Sequence, residues 1–244
     1  MVVDYVPTGI PGVDKILDGK GFPRGHIILV SGGPGSGKTT FATQFLYTGA
    51  TQHNESGVYV TLDEDPMDIK ANMAKYGWDL KKLEDEKKLV FINVPPVHVL
   101  PKQDWVQIGS TEYKLNAELV EMIKRGIEKV NAKRVVVDTV TIFKLHYPHE
   151  VERIYAMMEL MKDLRSMGCT ILLISELKGT GWNREHQFEE YSTQGVILLH
   201  TFLKDSKIVR VFQVEKMRGL AVDNQPRPYN ISAKGIEVSP SATI

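Results

Sequence analysis

The 244-residue sequence predicts an α/β fold: a largely parallel sheet with helices on both faces, organised around a phosphate-binding P-loop and ending in an antiparallel C-terminal edge. Three observations predict it. Gly32-Gly33-Pro34-Gly35-Ser36-Gly37-Lys38-Thr39-Thr40 satisfies G-x-x-x-x-G-K-[ST] and lies between an apolar run and a helical pattern. Short β-branched runs recur along the chain with amphipathic helical patterns between them, as expected of strands buried on both faces. After Val196 the strands follow one another without helices between them. The length suits one domain spanning 1–244, and no internal repeat is visible.

Each element follows from its local pattern. His26 to Ser31 reads as the strand before the P-loop, and Thr39 to about His53 as the helix after it, with Phe41, Ala42, Phe45, Leu46 and Gly49 at helical spacing. Val58–Leu62, Leu89–Ile92, Val135–Val137, Thr170–Ile174 and Val196–Leu199 read as further strands. One helix between them carries Leu115, Leu119, Ile123, Ile127 and Val130, and another Val151, Ile154, Met158, Met161 and Leu164. Met157, Met158, Met161 and Met167 on or near that second helix read as core filler or a subunit contact. Val209 to Glu215 alternates as an antiparallel strand should, and the tail from Ser239 is expected to fray. The stretch from Pro95 to Tyr113 is left unassigned.

Composition narrows the setting. Thirty basic and thirty acidic residues cancel, so overall charge favours neither nucleic acid nor a membrane surface. The sole cysteine, Cys169, lies in an apolar run, which fits an inert buried thiol in reducing cytoplasm. The N-terminus has neither the basic start nor the apolar core of a signal peptide, and no run is long enough to span a bilayer.

The P-loop residues carry the first chemistry. Gly33, Gly35 and Gly37, with Pro34 and Ser36, let successive backbone N–H groups turn inward around an anion, while Lys38 reaches its outer phosphates. Thr39 offers a hydroxyl to Mg²⁺, and Thr40 completes the motif at the start of the helix. Asp138, at the end of Arg134-Val135-Val136-Val137, is the matching metal carboxylate, since strand carboxyl ends open onto the crevice that holds the ligand. Asp63 and Glu64 end another strand, where one of them is placed to orient or deprotonate water; the alternative is that these acids complement the dipole of the next helix, which Asp65-Pro66 is expected to open. Ser175-Glu176 reads equally as a γ-phosphate sensor or an ordinary turn.

With these residues in hand, the chain resembles a single KaiC domain of the RecA-fold ATPases. The resemblance rests on Thr8-Gly9-Ile10-Pro11-Gly12-Val13-Asp14, Gly21-Phe22-Pro23-Arg24-Gly25, Asp63-Glu64-Asp65-Pro66, Tyr76-Gly77-Trp78-Asp79-Leu80, Asp138-Thr139-Val140 and Lys216-Met217-Arg218-Gly219, over roughly Tyr5 to Val238. It implies a RecA-type core and a homo-oligomeric ring, usually hexameric, with ATP and Mg²⁺ held between subunits. Lys216, Met217 and Arg218 would contribute to nucleotide binding, with Lys216 and Arg218 reaching across to the γ-phosphate on the neighbour's P-loop. Three departures qualify it. Asp63 stands where KaiC domains carry the first of two glutamates, so slow hydrolysis is expected. Leu220 and Val222 replace a hydroxyl residue and a histidine near the nucleotide, which leaves base recognition open. Glu190 and Tyr191 occupy the phosphoacceptor positions, so the chain resembles the domain that is not phosphorylated.

Three functions follow. The first is a slow Mg²⁺-dependent ATPase whose nucleotide state governs ring assembly or binding of a protein partner, with Lys38, Asp63, Glu64 and Arg218 as its catalytic groups. The second is a RecA- or RadA-like DNA-binding ATPase, which the loops disfavour. From Lys178 to Tyr191, Lys178 and Arg184 face Glu185, Glu189 and Glu190, and from Thr141 to Glu152 a single Lys144 faces Glu150 and Glu152. The third is a nucleotide-binding scaffold with negligible turnover.

Overall fold

The apolar runs pair side by side because each carries side chains to bury on both faces. The computed structural model describes residues 4–94, 112–147, 149–180 and 182–243. In chain order β1 (Tyr5–Val6), α1 (Val13–Ile16), β2 (Phe22–Pro23), β3 (Ile27–Gly32), α2 (Lys38–Gln52), β4 (Gly57–Thr61), α3 (Pro66–Ala74), α4 (Leu80–Asp85) and β5 (Leu89–Asn93) form the first half. They are followed by α5 (Glu112–Val130), β6 (Arg134–Asp138), α6 (Val140–Leu145), α7 (Glu150–Ser166), β7 (Thr170–Glu176), β8 (Gly179–Thr180) and β9 (Asn183–Arg184). α8 (Phe188–Ser192), β10 (Gly195–Lys204), β11 (Lys207–Met217), β12 (Arg227–Ser232) and β13 (Gly235–Val238) complete the chain. The unassigned stretch from Pro95 lies outside the described residues up to position 111.

One nine-stranded sheet runs β13-β12-β11-β10-β3-β7-β6-β4-β5. From β10 to β5 neighbouring strands are parallel, and β10 to β13 pair antiparallel. Alternation along the strands feeds two cores. Ile28, Val30, Tyr59, Val136, Leu172 and Ile174 pack with Phe41, Phe45 and Leu46 of α2. Ile27, Leu29, Val58, Val60, Val135 and Val137 pack with Leu119 and Ile123 of α5 and Leu160, Met161 and Leu164 of α7.

Caps and turns follow local chemistry. Asp65 accepts from the Met67 N–H at 2.7 Å, with Pro66 opening α3 as expected. On α7 the outcome differs from the periodicity reading. Val151 and Met158 are exposed, and the sheet-facing stripe is Met157, Leu160, Met161 and Leu164. The helix carries overlapping apolar stripes, and docking on the sheet selects the one with i, i+3, i+4, i+7 spacing. Cys169 is buried, its thiol donating to the Ala132 carbonyl, and burial pushes its pKa up, consistent with an inert thiol. The C-terminal tail is tied down rather than frayed: Ser239 N–H donates to Pro228 at 2.9 Å, and Arg227 donates to the Ala242 carbonyl at 3.1 Å.

At the N-terminal ends of the parallel strands Arg134 is fully buried. It pairs with Glu55 at 2.7 Å, donates to the Phe45 carbonyl at 2.8 Å and lies over the Phe45 ring. Arg24 also reaches Glu55, at 2.8 Å. Gly49 leaves room for this guanidinium, since a Cβ there would fall 2.5 Å from Arg134 Cδ.

Candidate nucleotide-binding site

The strand-to-helix turn at Gly32–Lys38 opens at the carboxyl ends of the parallel strands. Gly35 and Gly37 take positive φ, which permits the turn, and Gly37 is the N-cap of α2 with no side chain capping the first N–H groups. A helix start left open in this way presents donors and a positive dipole end to an anion. Lys38 folds back over the loop, its ammonium 2.8 Å from the Gly32 carbonyl and 3.0 Å from that of Gly33. Burial lowers its pKa, while the charges of Asp138 and Glu176 pull it up. Pro34 and Gly35 are exposed, whereas Ser36 and Thr40 are buried beneath the loop. The Tyr229 hydroxyl of β12 donates to the Ser36 carbonyl at 2.5 Å, and a Cβ on Gly37 would meet Ile231 at 2.7 Å. The antiparallel edge therefore braces the P-loop from the side, a role that the sequence did not reveal.

Asp138 meets the loop as expected. Its Oδ2 accepts from Thr39 Oγ1 at 2.9 Å and from the Tyr59 hydroxyl at 2.6 Å. Burial raises the Asp138 pKa, opposed by these two hydroxyls and by Lys38. A hydroxyl and a carboxylate side by side at the start of α2 fit Mg²⁺, which takes oxygen ligands and completes its shell with water and substrate phosphates. Tyr59 is the functional neighbour that sequence reading missed. The available signal was a lone phenol in an otherwise apolar strand, since a buried hydroxyl requires a partner. Burial and the adjacent carboxylate push its pKa well up, so it remains a donor.

β4 ends beside Asp138, with Thr61 paired to Asp138 across the strands and Leu62 N–H donating to the Asp138 carbonyl at 2.7 Å. The Thr61 hydroxyl donates to the Glu64 carbonyl and accepts its N–H, which fixes the turn that carries the acidic pair. Glu64 is half-buried and accepts from Asn72 at 3.3 Å, whereas Asp63 is exposed. Burial raises the Glu64 pKa, opposed by Asn72 and reinforced by Asp138, Asp68 and Asp63.

At the end of β7, Glu176 pairs in register with Gly32 and its N–H donates to Thr141, so it lies beside the loop. Ser175 is buried and donates to Glu189 at 3.0 Å, and therefore serves α8 rather than the phosphate site. Lys216 and Arg218 are not brought to this subunit's P-loop. Met217 pairs with Gly195, which pairs with Ile28 at the start of β3, whereas the loop begins at Gly32 opposite Leu199. Four residues of strand separate the two levels, about 13 Å. Lys216 and Arg218 instead donate to the Glu190 and Tyr191 carbonyls at the end of α8. Met217 does not join them at the surface, because its side chain is buried in the core. Leu220 and Val222 are half-buried against the same core.

Comparison with known proteins agrees with this architecture. The family described as "ATPase: KaiC" matches residues 6–243. A UPF0273 protein of Pyrococcus furiosus is 34% identical over 243 residues, covering all of this chain and 97% of its own. The circadian clock oscillator protein KaiC of Synechococcus elongatus is 35% identical over 235 residues, 96% of this chain and 44% of that protein. The crystal structure of a KaiC-like protein of Pyrococcus horikoshii OT3 aligns with a TM-score of 0.82 at 33% identity, over 98% of this chain and 100% of that one. The mostly parallel sheet with its antiparallel C-terminal edge is thus a RecA-type fold of the KaiC kind. By motif, site geometry and similarity over nearly its whole length, the chain belongs to the KaiC family of P-loop ATPases.

Proposed function

We propose that this protein is a slow Mg²⁺-dependent ATPase that works as a homo-oligomeric, hexameric ring in the cytoplasm, with each ATP held between two subunits. Its nucleotide state would control ring assembly or binding of a protein partner. The observation that carries the reading is the strand register: Met217, next to Arg218, lies about 13 Å of strand below the P-loop level, so Arg218, whose guanidinium donates to the Tyr191 carbonyl, is remote from its own site and would serve a neighbour's. The family resemblance supports the same arrangement.

Within the site the backbone of Gly33–Gly37 and Lys38 bind and orient the phosphates, and Thr39 with Asp138 would hold Mg²⁺. The ion supplies positive charge to the phosphate oxygens when bound. Glu64, fixed by the Thr61 turn and poised by its raised pKa, positions water and accepts its proton, with exposed Asp63 in a lesser part. Lys216 and Arg218 from the adjacent subunit neutralise charge that develops on the γ-phosphate. A nucleic-acid channel gains no support, because Lys144 is paired with Glu189 at 2.5 Å and Arg184 with Glu190 at 2.7 Å. Autophosphorylation is likewise disfavoured. Glu190 is committed to the pair with Arg184, and the Thr193 hydroxyl is buried, donating to the Glu189 carbonyl.

The test mixes two inactive variants. Lys38→Ala and Arg218→Ala should each lose turnover. Once subunit exchange is demonstrated with tagged wild-type protein, the mixture should regain activity, because an intact P-loop can border an intact Arg218. Absence of rescue despite exchange would remove the intersubunit assignment.

A further inference from the structure

Asp138 presents one oxygen to two hydroxyls that come from different parts of the fold. Thr39 belongs to the P-loop helix, whose first turn must accommodate the incoming nucleotide. Tyr59 belongs to β4, and its ring is fully buried, stacked on Phe91 with centroids 5.2 Å apart. In register Tyr59 pairs with Val136, two residues before Asp138 and on the same face of the sheet, so the ring leans along the strands to reach the carboxylate. Its surroundings there are Val136, Phe91 and α2, and phenylalanine would fill the space equally well. The hydroxyl donates to Asp138, and the Thr43 side chain of α2 also hydrogen-bonds it. The donation to Asp138, at 2.6 Å, goes, like that of Thr39, to Oδ2.

We infer that Tyr59 is a positioning residue for the metal-holding carboxylate, fixing the rotation of Asp138 from a rigid neighbouring strand so that the ion meets a preset oxygen. The inference rests on the proposed Mg²⁺–nucleotide reading of the site. It makes a distinction that a merely structural tyrosine would not: the hydroxyl acts on Asp138, and so on the metal, and not on the backbone N–H groups of Gly33–Gly37 that form the phosphate cradle. Partners that orient a metal ligand in this way are typically worth about ten- to a hundred-fold in metal affinity.

The experiment uses full-length Tyr59→Phe with a fluorescent ADP analogue. In EDTA the variant should bind the analogue within about twofold of wild type. When Mg²⁺ is then titrated, the midpoint of the Mg²⁺-dependent fluorescence and thermal-stability changes should move to at least about tenfold higher concentration. An unchanged midpoint would overturn the inference while leaving the nucleotide reading intact, and equal weakening with and without Mg²⁺ would reduce Tyr59 to a packing role. Wild-type protein with no Mg²⁺-dependent response would remove the underlying reading and the inference with it. Should the variant not fold, a crystal structure of wild-type protein with Mg²⁺ and a non-hydrolysable ATP analogue decides. The Tyr59 hydroxyl is expected within hydrogen-bond distance of Asp138 in that state, and separation beyond 3.5 Å would refute the role.

Discussion

Glu64 sits where the burial of one side chain sets its chemistry. A carboxylate that accepts a proton from water must be ionised, so turnover should fall as pH drops through its pKa, which burial holds above the ordinary 4.5. Asn72 stabilises the charged form and Asp63 opposes it. Asn72→Ala should therefore move the acid limb of kcat/KM to higher pH, and Asp63→Asn should move it lower. Profiles of the two variants that coincide with wild type would exclude Glu64 as the base. At this scale the sequence was legible wherever a motif is local: Lys38, Thr39, Asp138 and Glu64 all stand where a contiguous pattern puts them. Tyr59 and Tyr229 were not, because their partners lie 79 and 193 residues away and only the fold brings them together. Met217, in turn, is the last residue of β11 and alternates with Lys216, so its side chain goes to the opposite, buried face.

Elements were readable in proportion to how many faces they bury. The parallel strands, apolar throughout, declared themselves, and α2 begins where the P-loop and its glycines require. The exposed side of α7 misled the periodicity, since Val151 and Met158 complete an apolar stripe that nothing among the described residues covers. β12 and β13 are short and half-polar, and their packing against α2 depends on the Gln44 side chain, which bonds both the N–H and the carbonyl of Ile236. Gly49 gives a test of how tightly α2 is seated. Alanine would raise helix propensity by about 1 kcal/mol, yet its Cβ would strike the buried Arg134 side chain. Gly49→Ala should therefore destabilise, by about 1–3 kcal/mol in urea denaturation. A stabilised variant would mean that Arg134 has slack that its contacts do not suggest.

At the scale of the molecule the two ends of the sheet are kept apart chemically. The carboxyl ends hold the candidate nucleotide-binding residues, and the amino ends hold the Arg24–Glu55–Arg134 network. Burial alone would raise the Glu55 pKa, but hydrogen bonds and charge from Arg134 and Arg24 more than reverse this and leave it below 4.5. Because the folded value is depressed, its stabilisation is full above the unfolded pKa and is lost as pH falls through the folded one. Glu55→Ala should cost about 3–5 kcal/mol near neutrality by stranding Arg134, and the gap from wild type should narrow in acid. Equal denaturation midpoints at pH 7 would show the network to be dispensable.

With about 13 Å of strand between the Arg218 level and its own P-loop, the proposed service to a neighbour makes each subunit directional. A subunit that offers its arginine at one end and needs another's at the opposite end joins its neighbours head to tail, so an open row of such subunits always has one starved site and one idle arginine. Closure alone supplies every site. Specific activity in the proposed ring should then depend on concentration, falling on dilution as circles open and recovering on concentration, and sedimentation run beside phosphate release would register both changes together.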